Sequence, residues 1–305
     1  MQREVTTSGL AAKTTWPVMA LKVLGSTMLL IALLSVDYKD LTISRTILLT
    51  PIQLTLVAFI DTLVLSYLVL SSRWGGWREW GAVFSALYGM NYVLTAVESV
   101  YLGSILSTDM VIGLLANGAI TSAIFSAFLV WILGKRGTRN ETQNDRLVMG
   151  TREWTWKILG SGAVYLLLFI LFGFAVYYPL ARALDPAALA REQTIAASSA
   201  ALVFPVEVFR GAFWALLAVP AIVALRFDWK RSALMTGLLF AVPISGNILL
   251  ATTMTPGLQI AHFAEVFGEN LVFGLLVVWI LHLRSRLPSL DAKSTVSPLS
   301  VSSKV

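Results

Sequence analysis

A histidine, two glutamates and an asparagine stand at positions 262, 265, 269 and 270 in the stretch IAHFAEVFGEN, residues 260–270. Imidazole and carboxylate are the groups that exchange protons or hold cations near neutral pH. At about 100° per residue, His262, Glu265 and Glu269 fall within about 60° of one another, with Asn270 about a quarter-turn aside. They form one helical stripe. His-x-x-Glu on a helix can also offer two ligands to a metal ion, so His262 and Glu265 are the candidate ligands if a metal binds. Further candidates set within apolar runs are Asp61, Glu98, Glu207, Arg210 and Asn247. Acids outnumber the arginine by five to one in this set. That balance suits a proton, a cation or a small polar solute better than an anion.

The elements that must position these residues follow from composition. With 57% hydrophobic residues, 13% charged and a mean hydropathy of +0.76, the 305 residues do not read as a soluble domain, whose charged fraction is about 25%. A helix needs about 20 mostly apolar residues to cross a bilayer core about 30 Å thick. Eight runs meet or approach that length: 16–38, 49–70, 80–102, 110–134, 157–180, 200–225, 232–253 and 259–283. They are too long for barrel strands, so the expected fold is an all-α integral membrane bundle of eight transmembrane helices. The lipid bilayer is its first partner.

Orientation follows from the 23 lysines and arginines. Seventeen fall in the N-terminus, the even-numbered loops and the C-terminus, and only Lys39, Arg45, Arg182 and Arg191 fall in the odd-numbered loops. By the positive-inside rule both termini are expected in the cytoplasm of a plasma or inner membrane. The net charge of +6 is then a topology signal, and no nucleic-acid partner is expected. The polar stretch 1–15 precedes the first span, which reads as a retained anchor. The absence of cysteine removes disulfide and thiol chemistry.

Internal similarity divides the chain. KVLGS at 22–26 matches KILGS at 157–161, GWREW at 76–80 parallels DWKRS at 228–232, and FSAFLVWILGKR at 125–136 aligns with FGLLVVWILHLR at 273–284. The order is the same in both halves. The expected domains are therefore a first four-helix half at 16–136, a cytoplasmic linker at 137–156, a second half at 157–284 and a serine-rich disordered tail at 285–305. An even number of spans per half makes the two repeats parallel, related by an axis along the membrane normal. Under this alignment Glu265 corresponds to Asn117 and Glu269 to Thr121, so the polar stripe recurs in the fourth span.

Structural roles are open to each candidate. Glu207 and Arg210 are three apart and can form an intrahelical ion pair. His262 can sit in the wet interface, Glu98 near the surface, and Asp61 among the hydroxyls of Thr62 and Ser66. Glu269 lies ten residues beyond Gln259, about 15 Å deeper, near the middle of the bilayer.

PVEVFRG at 205–211 resembles the first motif of the CPBP intramembrane proteases, a glutamate pair followed by Phe-Arg-Gly, and that resemblance implies proteolysis centred on Glu207. The chain has one glutamate there, spaced one residue short, and lacks the two separate histidines that the family uses. The four-plus-four architecture is similar to haem A synthase, which binds haem through several histidines; with two histidines at opposite ends of one helix, haem is not expected. The leading expectation is a transporter or permease-like protein for a cation, proton or small polar solute. The alternatives are an intramembrane enzyme, metal-assisted or CPBP-protease-like, and a non-catalytic assembly subunit.

Overall fold

The computed structural model describes residues 16–37, 42–43, 51–101, 107–135, 147, 149–196, 200–226, 228–251 and 254–283. The expected N-terminal segment 1–15, most of the linker and the tail lie outside them. Apart from a two-residue antiparallel ladder, Val36–Asp37 (β1) with Thr42–Ile43 (β2), the described elements are helices. They are α1 Trp16–Leu34, α2 Pro51–Ser71, α3 from Gly76 to Tyr101, α4 Thr108–Ile132, α5 Thr151–Leu184, α6 Pro186–Ala196, α7 Ala200–Ala224, α8 Trp229–Leu250 and α9 Pro256–His282.

Among the described residues, seven helices are long and apolar enough to cross a membrane: α1, α2, α4, α5, α7, α8 and α9. The chain is a polytopic membrane protein by this criterion, because a helix satisfies its own backbone in lipid. Their lipid-compatible faces carry exposed Leu21, Met28, Leu167, Leu171, Phe174 and Leu216, which would aggregate in water. The expected third span differs from the others. Residues 76–101 form one helical run whose middle, Ser85–Val93, is π-helical. A second π-turn, Gly173–Tyr177, lies within α5. Helix α5 starts at Thr151, within the stretch 137–156 read as a linker. Gly150 caps the helix in an extended conformation, and Glu153 sits in its first turn, where the helix dipole favours a negative charge.

The helices pack in two sets. In the first half α1 packs on α2 and α4, and α3 packs on α4. In the second half α5 packs on α7 and α9, and α8 packs on α9. The halves meet through α2 against α8 and α3 against α7. At one end of this junction the two chains form a small antiparallel bridge between Ser72 and Leu225: Arg73 N donates to Ala224 O at 2.7 Å, and Arg226 N to Ser71 O at 3.2 Å. Around it the Ser72 hydroxyl donates to Glu79, Lys135 Nζ donates to the Ser72 carbonyl at 2.6 Å, and Arg73 Nη2 donates to the Leu225 carbonyl at 2.7 Å.

Helix α9 is held at both ends. Gln259 Nε2 donates to the carbonyls of Ile248 and Ala251 at 2.8 and 3.1 Å, satisfying groups left open where α8 ends. At the other end Lys157, 1% exposed, donates to the carbonyls of Leu281 and Leu283 at 3.1 and 2.7 Å and pairs with Glu153. Midway, α9 meets α8 glycine to glycine: a Cβ on Gly274 would lie 2.5 Å from Gly237 Cα. These contacts fix which face of α9 turns toward α5 and α7.

Candidate functional site

The residues that face that junction include most of the polar stripe. Glu265 and Glu269 are buried on α9, and Glu207 and Arg210 are buried on α7. His262 remains half-buried, with its Nδ1 2.9 Å from Glu265 Oε2. The π-turn of α5 passes beside this pair: a Cβ on Gly173 would lie 3.7 Å from Glu265 Oε1. A wider turn alters the register of α5, and Tyr177 at its end packs edge-on against the His262 ring, with centroids 5.7 Å apart. The Tyr177 hydroxyl in turn donates to Glu192 on the exposed helix α6. Glu192, Tyr177, His262 and Glu265 thus follow one another from the exposed helix inward, joined by a hydrogen bond, a ring contact and the His262–Glu265 pair.

Glu269 lies one helical turn past Glu265, about 6 Å deeper. It is 2% exposed; the Tyr165 hydroxyl donates to it, while its Oε1 has no partner. Arg210, Glu207 and Glu265 all lie within electrostatic reach of it. Arg210 Nη1 is 3.6 Å from Glu207 Oε2, which is the intrahelical pair expected from their spacing. The guanidinium also stands over two rings, 5.0 Å from the Trp214 centroid and 5.6 Å from that of Tyr165. Cation–π contacts of this kind strengthen when desolvated, to about 2 kcal/mol.

Beyond Glu269 the polar residues give way to aromatic rings. Tyr165, Trp214, Phe240 and Phe273, all fully buried, close on one another with ring centroids 4.9 to 6.2 Å apart. The site is a buried polar cluster with its more exposed end at Glu192 and His262 and buried aromatic rings at the other. Three carboxyls are buried there beside one guanidinium and the His262 imidazole, Arg210 pairing with Glu207 and His262 with Glu265. An unpaired carboxylate in such surroundings costs several kcal/mol.

The remaining candidates lie apart. Asp61 is buried on α2, and among the described residues no charged group bears on it. Asn247 is half-buried on α8. Asn270 is fully buried beside the stripe, but its Nδ2 donates to the Val266 carbonyl of its own helix at 2.7 Å. Its amide is thus turned to backbone. Glu98 lies on α3, outside the residues whose side chains are described. Thr55, Thr62, Ser161 and Thr236 likewise return their hydroxyls to carbonyls four residues back. Among the described residues no group of three His, Asp or Glu side chains gathers to hold a metal ion.

Tyr165, Tyr177, Glu192 and Trp214 did not emerge from the sequence as site residues. Tyr165 and Trp214 sit in unbroken apolar runs, and Tyr177 and Glu192 belong to elements whose approach to His262 depends on the α5 turn. No protein-family model matches the chain, and no curated protein and no solved structure matches it either.

Proposed function

We propose that this chain is a membrane transporter of permease type that binds a proton or small cation in the acidic pocket of its second half. The observation that carries the reading is the Glu207–Arg210–Glu265–Glu269 cluster, buried in apolar surroundings with an excess of carboxyls and joined to the surface through His262. Charges at that depth are expensive, and in membrane proteins they mark ion and proton paths. Glu269 binds the ion, Glu265 and His262 pass it to the outer face, and Arg210 keeps Glu207 ionised. The aromatic rings keep the pocket closed toward the cytoplasm in this conformation.

The orientation belongs to the same proposal. The basic loops put the Arg73 and Arg226 end in the cytoplasm and the His262 end outside, with both termini inside a plasma or inner membrane. Counting α3 as a crossing gives eight spans. The packing of the helices in two sets supports a duplicated four-plus-four bundle, and so does the Ser72–Leu225 bridge. An antiparallel pair with two reciprocal hydrogen bonds is itself two-fold symmetric, as a junction on a pseudo-two-fold axis would be.

The test is flux. Purified full-length protein in lipid vesicles, driven by a potassium–valinomycin potential, is expected to pass protons, sodium or potassium faster than protein-free vesicles. Glu269→Gln is expected to remove that excess. Wild-type vesicles that pass none of the three above background, or a Glu269→Gln protein that passes them unchanged, refute the proposal. The His262–Glu265 pair also favours a second reading, an intramembrane enzyme using the dyad as a general base at the more exposed end. A hydrolysis product released from a lipid or peptide substrate by the wild type, and lost in His262→Ala, would select it.

A further inference from the structure

We infer that Asp61 is a second proton-binding site, separate from the α9 pocket, at the junction of the two halves. On α2 the residues Leu54, Val57, Asp61, Val64 and Leu68 recur at alternating spacings of three and four, and all five are buried. That pattern is a helix–helix contact stripe. Its partner is α8, because a Cβ on Gly246 would lie 2.7 Å from Val57 Cγ1. The Arg73–Ala224 and Arg226–Ser71 bonds place the far end of α2 beside the chain entering α8, so the two helices run antiparallel. One turn inward from Val57, Asp61 comes level with Val242 and Pro243. Pro243 lacks an N–H, so the Leu239 carbonyl loses its usual donor at that level.

A polar residue at such a position is often structural, fixing register through a hydrogen bond to its partner. Among the described residues no such bond is seen for Asp61. Its Oδ1 has no partner, and the nearest hydroxyl in sequence, Thr62, donates instead to the Ala58 carbonyl at 2.7 Å. Helices α1, α3, α4 and α8 pack on α2, and their charged residues are Lys22 on α1, Arg78, Glu79 and Glu98 on α3, Asp109 on α4, and Lys230 and Arg231 on α8. Of those whose side chains are described, none bears on the carboxyl; loss of solvent is the one influence upon it. A cation would need several oxygens around it, whereas a proton needs one carboxylate. The α2–α8 contact therefore holds a carboxylic acid. Because α8 packs on both α2 and α9, it lies between this acid and the Glu269 pocket.

Carbodiimide chemistry tests this without knowledge of any substrate, since dicyclohexylcarbodiimide reacts with protonated carboxyls reached through lipid. The folded full-length protein in vesicles is treated at a series of pH values, and the Asp61 peptide is examined by mass spectrometry. The expected result is an adduct on Asp61 that diminishes as the pH is raised, is absent in Asp61→Asn and persists in Glu269→Gln. Persistence there separates this site from the α9 pocket, so it can stand even if the pocket reading fails. An Asp61 that takes no adduct at any pH overturns the inference, and so does one whose labelling ignores pH or disappears with Glu269→Gln.

Discussion

Arg210→Met isolates the electrostatics of the α9 pocket. The guanidinium is 3.6 Å from Glu207, and at an effective dielectric of about 20 the pair attraction is about 5 kcal/mol. Its contacts over Trp214 and Tyr165 add about 0.5–2 kcal/mol each. Desolvating both ions offsets much of this, so the pair adds little net stability. The cost of removing one partner is different, because Glu207 stays buried with its countercharge gone. Arg210→Met is therefore expected to destabilise the fold by about 3–5 kcal/mol, lowering the thermal midpoint by on the order of 10 °C. Arg210→Met with Glu207→Gln removes the stranded charge as well, and is expected to regain at least half of the loss. Thermal unfolding of the purified protein in detergent, followed by intrinsic tryptophan fluorescence, measures both. If the double variant is no more stable than the single one, Glu207 is not held ionised by Arg210 and the charge accounting of the pocket is wrong.

Other outcomes follow from single contacts. Lys157→Met removes two bonds to the last carbonyls of α9 and the pair with Glu153, and should lower stability by about 2–4 kcal/mol in the same assay. Gly274→Leu must push α8 from α9 at the Gly237 crossing, costing about 1–3 kcal/mol or more, whereas a leucine at Gly25, where a Cβ meets nothing within 4 Å, should be nearly neutral. Hydrogen bonds from the Thr255 hydroxyl and the Ala188 amide hold the Asp185 carboxyl below its ordinary value of 3.8. A lowered value means that the stabilisation is complete above about pH 3.8 and is lost as pH falls through the folded value, so the α5–α6 corner should open to hydrogen exchange only in acid. Because the chain has no cysteine, Trp77→Cys and Ser107→Cys give clean single labels: an impermeant maleimide should reach position 107 on intact cells and position 77 only after permeabilisation.

Much of this architecture is legible in one dimension. Length and apolarity define the spans because lipid leaves a chain few ways to satisfy its backbone, and seven of the expected eight runs appear, among the described residues, as helices long and apolar enough to cross. Local capping is equally plain: Asp185 ahead of Pro186 starts α6, accepting from the Ala188 amide at 3.0 Å. The i, i+3 spacing of Glu207 and Arg210 sufficed for their ion pair. The same spacing joins His262 to Glu265. Each of these depends on residues within a turn of one another.

Tertiary structure decided the rest, where the partners are distant in sequence. Nothing near Tyr165 or Trp214 marks them as neighbours of Glu269 and Arg210, since each is one aromatic residue in an apolar run. The π-turns at 85–93 and 173–177 shift register through packing that periodicity does not record. Asp61 and Glu269 looked like members of one set because both are acids within spans. The fold separates them: Glu269 lies near a guanidinium and two other carboxyls, while Asp61 is buried on α2, where loss of solvent is the one influence recorded among the described residues. Sequence by itself determined which segments leave water and which polar residues go with them, because transfer free energy depends on composition. Which of those residues share a charge depended on helix crossings, because electrostatic coupling falls with distance in space and is indifferent to distance along the chain.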